Sequence, residues 1–225
     1  MKILIVSATS IEVEPLVKQL KFEKSINSAM SSYFYHNIEI DILITGVGMV
    51  STAYWLGKTL SFHNYEIAIN VGIAGSFDKT LTLGTVVNIV NDRFSELGTE
   101  SGEYLLSLID IKLIEKSVFP FVNCELINDT DINSELLNSI PKFKGITVNT
   151  IHGTTESIKK ISKLFNPVTE SMEGAAFLYA CLTEKVKCLQ LRSISNYVEE
   201  RNKKNWNIPL AIQNVNEFLI NLLNE

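Results

Sequence analysis

The chain has 225 residues, enough to build one large domain with a sizeable core. Hydrophobic residues make up 46% of it against 20% charged, in apolar runs too short to cross a bilayer, which excludes both a disordered chain and a membrane span. A net charge of -5 without a basic stripe argues against nucleic acid as a partner and leaves a small molecule as the expected ligand.

In chain order, "KILIVSA" predicts a first strand. Its apolar stretch stops at Ser7, too short for the core of a signal peptide, so a cytoplasmic location is expected. "IEIDILITGVG" predicts a second strand and "MVSTAYWLGKTL" a helix after it; "EIAINVGIAG" and "GTVVNIVNDRF" are the next two strands. Residues 95 to 140 are the least legible stretch, with "ELGTESGEY" expected as a loop and "DINSELLNSI" as a short helix. Then come strand "GITVNTIHG", helices "TESIKKISKLF" and "EGAAFLYACLTEK", and strand "VKCLQLRSIS". The chain closes with the amphipathic "IPLAIQNVNEFLINLLNE", where Pro209 suits a first helical turn. This alternation predicts an α/β fold, and strands of nearly continuous Ile, Val and Leu predict a sheet covered on both faces. No repeat, linker or charge block interrupts it, so residues 1–225 are read as a single domain.

Three cysteines without a CxxC pattern argue against a disulfide framework or a thiolate metal site, and Cys181 and Cys188 sit in apolar surroundings as core residues. His36, His63 and His152 lack HxxxH or HxH spacing, so no metal site is expected.

In α/β sheets ligands gather at the carboxyl ends of strands, and four strand ends here carry glycine or polar residues. The first runs into "SATSIEVEPL". Thr9 followed by Glu12 forms a capping-box pattern, but a helix starting there would enclose Pro15, whose ring clashes with the carbonyl of Ile11. A helix settling nearer Pro15 is expected, freeing the Glu12 carboxylate for a cleft. The second end, "TGVGMVS", imitates a dinucleotide fingerprint, but the glycine loop follows the wrong strand and Glu66 precedes the next one. A tight turn is the plainer reading. In "VGIAGSF", Gly72 and Gly75 allow backbone to approach a ligand and amides around Ala74 can form a nest, though an ordinary turn explains the run equally well. The last end is "RSISN". Elsewhere, "ESMEGAAFLYA" puts Glu173 at the mouth of an apolar helix, where the dipole favours an acid, and Met172 beside it suggests a pocket wall.

These pieces, "SATSIEVEPL", "TGVGMVSTA", "NVGIAGSFDKTLTLG", "ESMEGAA" and "RSISN", in this order and at these separations, resemble the purine nucleoside phosphorylase and nucleosidase superfamily. The likeness covers nearly the whole chain and is nearest to the futalosine hydrolases through "NDRFSELG", "SMEGAAFLYACL" and "RSISNYVEERNKKNWNIPLAI". It implies a three-layer α/β sandwich around a central mixed sheet, a homo-oligomer, and cleavage of a purine–ribose bond without a cofactor. It implies further that Glu12 activates the attacking water and that Glu173 holds the ribose hydroxyls, with Met172 against sugar or base. Ala74 and Gly75 match the backbone loop beside the ribose, where Ile73 replaces a frequent serine. Arg192, Ser195 and Asn196 match the cluster at the base end, where methylthioadenosine/S-adenosylhomocysteine nucleosidases carry aspartate in place of Asn196.

Hydrolysing an N-glycosidic bond builds positive charge on the sugar while the purine leaves with negative charge, so both ends need stabilisation. Glu12 as base and Glu173 facing the cationic sugar divide that work as paired carboxylates do in glycoside hydrolases. An aspartate at the base end can protonate nitrogen-7; asparagine cannot, but its amide can donate to nitrogen-7 or to a 6-oxo oxygen. Asn196 therefore points to hypoxanthine, as in futalosine, and Arg201 is placed to meet a carboxylate on that substrate's extended arm. Lys203 and Lys204 read as solvated. A phosphorylase would need basic residues near the first strand, which "SATSIEVEPL" lacks. An adenine-specific nucleosidase and a non-catalytic nucleoside sensor remain as rival readings; the sensor has no need of Glu12.

Overall fold

The computed structural model describes residues 1–102 and 104–225. Strand β1 (Lys2–Ser7) shows why the strands are apolar throughout. Side chains alternate across a sheet, so Ile3 and Ile5 enter a cluster on one face with Val13, Leu16, Val215 and Leu219, while Leu4 and Val6 enter another with Leu56, Leu60, Phe177 and Leu178. Each such side chain, once fully buried, contributes about 1.5–3 kcal/mol relative to exposure. The first cluster is roofed by α1 (Ser10–Val17) and the C-terminal helix, the second by two middle helices, which makes the three-layer sandwich.

After α1 the chain forms an antiparallel ribbon of β2 (Lys21–Ser25), β3 (Met30–Tyr35) and β4 (Ile38–Ile44), and β4 lies parallel to β1. Helix α2 (Met49–Phe62) leads to β5 (Ile67–Ser76) and then β6 (Val86–Asp92). A hairpin of β7 (Gly98–Ser101) and β8 (Tyr104–Ser107) follows, then the short strands β9 (Phe121–Val122) and β10 (Glu125–Ile127) and helix α3 (Glu135–Ser139). The last part runs β11 (Lys142–Thr147), α4 (Thr155–Phe165), β12 (Thr169–Ser171), α5 (Gly174–Thr183), β13 (Cys188–Tyr197) and α6 (Ile208–Leu223). Pro209 lies in the first turn of α6, as expected, and Cys181 and Cys188 are fully buried.

The ten-residue β5 organises the sheet. Its first half pairs with β1, its end with β12, and nearly its whole length with β13. Because β13 also pairs with β6, β6 with β11, and β11 with β12, strands β5, β12, β11, β6 and β13 close on themselves. The mouth of that closure carries the site.

Three expectations are corrected. "ELGTESGEY" contributes a strand to the β7–β8 hairpin rather than a loop. The strand expected over "GITVNTIHG" begins at Lys142 and ends at Thr147, leaving Ile151 and His152 in the following turn. Helix α1 starts at Ser10 with Thr9 as its cap and encloses Pro15. It tolerates the proline because Asn216 of α6 reaches into the break: its amide donates to the Glu12 carbonyl (2.8 Å) and its oxygen accepts from Leu16 N–H (3.2 Å). The Ile11 carbonyl, which Pro15 cannot serve, belongs to a residue 64% exposed, within reach of water.

Candidate active site

The ends of β1, β5, β12 and β13 open into one cleft of ≈ 360 Å³. Glu12, Ala74, Gly75, Met172, Glu173, Ser195, Asn196 and Arg201 all lie on its wall; Arg192 does not.

Glu12 both caps α1 and lies on the cleft wall. Oε2 accepts from the backbone N–H (3.1 Å) and hydroxyl (2.9 Å) of Thr9, completing a cap, while Oε1 turns toward β5 and accepts from Ile73 N–H at 3.3 Å. The cap therefore aims the carboxylate into the cleft. Glu173 precedes the first turn of α5, and its Oε1 accepts from Gly48 N–H at 2.9 Å. The "GVG" turn, with Gly46 and Gly48 both at positive φ, thus presents an amide to the second carboxylate. Burial pushes the Glu173 carboxyl above its ordinary range and nearby Glu12 adds to this, against the charge of Arg192 and the Gly48 amide.

Arg192 is 1% exposed and lies behind this pair. One guanidinium nitrogen donates to Asn70 Oδ1 and another to the Leu191 carbonyl at 3.1 Å, and its charge acts on Glu173, Glu12 and Asp92. The resemblance groups it with Ser195 and Asn196; alternation along β13 sets it instead off the cleft wall, near Glu12 and Glu173. Burial lowers its pKa from the ordinary arginine value, opposed by the three carboxylates.

Near the end of β13 the register slips between Ile194 and Asn196, and this bulge brings neighbours Ser195 and Asn196 onto one wall. Ser195 Oγ lies 2.8 Å from Asn196 Oδ1 and 3.2 Å from the Ala74 carbonyl, and Asn196 Nδ2 donates to the Tyr197 carbonyl at 3.0 Å. A carbonyl only accepts, so Tyr197 fixes which way the amide points, and the second N–H of Nδ2 remains for a ligand. A Cβ on Gly75 would sit 3.2 Å from Asn196 Nδ2 and 3.0 Å from Val198. Glycine keeps that approach open.

A pair that sequence spacing does not reveal lies on the same wall. Glu170 of β12, 4% exposed, accepts from His152 N–H through Oε1 (3.0 Å) and pairs with His152 Nδ1 through Oε2. The partners are 18 positions apart, one on a strand and the other in a turn. At the mouth, Arg201 lies over the Trp206 ring, 5.4 Å from its centroid. Lys203 and Lys204 are exposed. Among the described residues no three histidine, cysteine, aspartate or glutamate side chains gather to hold a metal ion, and no helix is long and apolar enough to cross a membrane.

A closed α/β sheet with two carboxylates over a buried arginine defines an enzyme of the nucleoside phosphorylase type. The chain belongs to the Phosphorylase superfamily, whose sequence pattern matches residues 2–224. It is 28% identical to futalosine hydrolase of Thermus thermophilus over 81% of this chain and 80% of that one. It is 24% identical to 5'-methylthioadenosine/S-adenosylhomocysteine nucleosidase of Glaesserella parasuis over 100% and 99% of the two chains. In three dimensions it is similar to futalosine hydrolase of Helicobacter pylori, with a TM-score of 0.84 over 100% of this chain and 97% of that one at 18% identity, a likeness of fold.

Proposed function

We propose that the chain hydrolyses the N-glycosidic bond of futalosine, releasing hypoxanthine and the arm-bearing ribose used in menaquinone biosynthesis. The carrying observation is Asn196, whose oxygen is engaged by Ser195 and whose nitrogen, with one N–H on the Tyr197 carbonyl, keeps the other to donate to a ligand. A donor that cannot give up its proton suits nitrogen-7 or the 6-oxo oxygen of hypoxanthine. Glu12 takes the proton of the attacking water. Glu173 binds the ribose hydroxyls and faces the positive charge that develops on the sugar, and Arg192 beneath it favours the ionised carboxylate. Met172 and the Ala74–Gly75 backbone pack on sugar and base, and Arg201 meets the carboxylate of the arm. Phosphate is disfavoured as nucleophile: among the described residues Arg201 and His152 are the basic side chains of the cleft wall, and the guanidinium nearest Glu12 is buried behind it.

A second copy of the chain is proposed to cover α2, where Val50 (81%) and Tyr54 (59%) are exposed beside Val47 of the cleft wall. The test of function is incubation of the purified protein with futalosine, inosine and methylthioadenosine in phosphate-free buffer, with assay of free base. Hypoxanthine from futalosine at the highest rate is expected. A rate proportional to added phosphate, with a sugar phosphate as product, would make it a phosphorylase, and preference for methylthioadenosine would make it an adenine-specific nucleosidase.

A further inference from the structure

The His152–Glu170 pair takes no part in the scheme above, yet it lies beside the residue that reads the base. Gly75 of β5 is the register partner of Glu170 on one side and of Asn196 on the other. Neighbouring strands run ~4.8 Å apart, so the Glu170 and Asn196 backbones stand roughly 10 Å apart across Gly75, which carries no side chain, about the width of a purine with its hydrogen bonds. All three residues and His152 are on the same cleft wall, and His152 keeps 14% of its side chain exposed.

The two bonds to Glu170 decide what the imidazole offers. An ionised carboxylate only accepts, so with Oε1 on the His152 backbone N–H and Oε2 on Nδ1, the ring proton must sit on Nδ1. Nε2 takes no partner among the described residues, and in the neutral ring it is a lone-pair acceptor. A 6-oxopurine carries a proton on nitrogen-1 and can donate there; a 6-aminopurine has a lone pair at the same place. We propose that His152 is a second specificity-determining residue, accepting from nitrogen-1 of a 6-oxopurine through Nε2, and that Glu170 is the positioning residue that fixes its tautomer. The inference rests on the proposed preference for hypoxanthine and adds a second polar contact on the base, opposite Asn196.

Replacing Glu170 by glutamine makes the sharpest test. The glutamine oxygen can still accept from His152 N–H, but its amide then donates to Nδ1, which moves the ring proton to Nε2 and turns an acceptor into a donor. The experiment measures binding of hypoxanthine and adenine, by calorimetry in mildly alkaline buffer, to wild type, Glu170→Gln, His152→Leu and His152→Gln. The expected result is a wild type that prefers hypoxanthine, a loss of roughly tenfold in that preference in His152→Leu, and partial recovery in His152→Gln, whose carbonyl can accept. Glu170→Gln should lose more than His152→Leu and bind adenine more tightly than wild type does. Nitrogen-15 spectra of its imidazole should show the proton on Nε2, a change that loss of packing would not produce. Preference for hypoxanthine that is equal in all four proteins overturns the inference while leaving the proposed function intact. A wild type that prefers adenine overturns both.

Discussion

The two ends of the cleft are built on different physical principles. At the end proposed to hold the sugar, Glu12 and Glu173 stand over Arg192, and charge is held in a partly dehydrated place. At the base end Ser195, Asn196, His152 and Glu170 are ordered by the direction of hydrogen bonds, with backbone carbonyls and a carboxylate deciding which atoms may donate. Removing a charge should therefore slow every substrate, whereas reversing a hydrogen bond should redistribute activity among bases. On the proposed reaction, speed belongs to one end and selectivity to the other.

The comparison breaks most directly at Glu12. Glu12→Gln keeps an oxygen for the Thr9 cap but removes the base, and turnover should fall at least on the order of a hundredfold on every nucleoside cleaved. Nearly normal turnover in a folded variant would reduce Glu12 to its capping role. At the other end, Asn196→Asp sets an acceptor against both the Tyr197 carbonyl and a 6-oxo oxygen. We expect a loss of roughly 2 to 4 kcal/mol in the transition state for futalosine, about thirty- to a thousandfold in kcat/KM, with the ratio moved toward its 6-amino analogue. Equal losses on both substrates would show that Asn196 supports the loop without reading the base.

A smaller effect should come from behind the sugar end. Asn216→Ala leaves the broken turn at Pro15 unbridged and should destabilise the fold by about 1–3 kcal/mol, measurable by denaturant titration. In the folded fraction kcat should drop with the hypoxanthine-to-adenine ratio unchanged. A changed ratio would mean that the two ends are coupled.

The smallest effect expected is a displacement in pH. Burial raises the Glu173 carboxyl, so the folded protein holds that proton to higher pH than the unfolded chain does. The stability this contributes is present below the ordinary glutamate range and is lost as pH rises through the raised value; Glu173→Gln should abolish that loss. Activity runs the opposite way, because the ionised form faces the sugar cation. The acid limb of kcat/KM should lie above the ordinary glutamate range and move upward in Arg192→Met relative to Arg192→Lys. A limb unmoved between those two variants would remove Arg192 from the account.

Much of the fold was legible because its causes are local. The six main strands and four long helices follow from runs whose period and β-branching suit one element, and Pro209 and Gly48 punctuate them where backbone geometry requires it. Residues 95 to 140 were opaque because their strands are two to four residues long and rely on pairing across the chain rather than on pattern. Glu12 and Asn196 were legible as polar residues at or just past apolar strand ends, and Glu173 as an acid at the mouth of an apolar helix with Met172 beside it.

By itself the sequence determined the α/β alternation, the burial of both sheet faces and the presence of polar residues at strand ends, since each depends on the composition of a short window. The tertiary structure alone decided three further things. Asn216, 200 positions from Leu16, lets a helix hold Pro15 and still deliver Glu12. Alternation along β13 sends Arg192 behind the carboxylates, while a bulge turns Ser195 and Asn196 together into the cleft. Register across Gly75 places Glu170, and with it His152, opposite Asn196. The first and third join residues far apart in sequence, and the second depends on how β13 pairs with β5, so none could be read from one stretch alone.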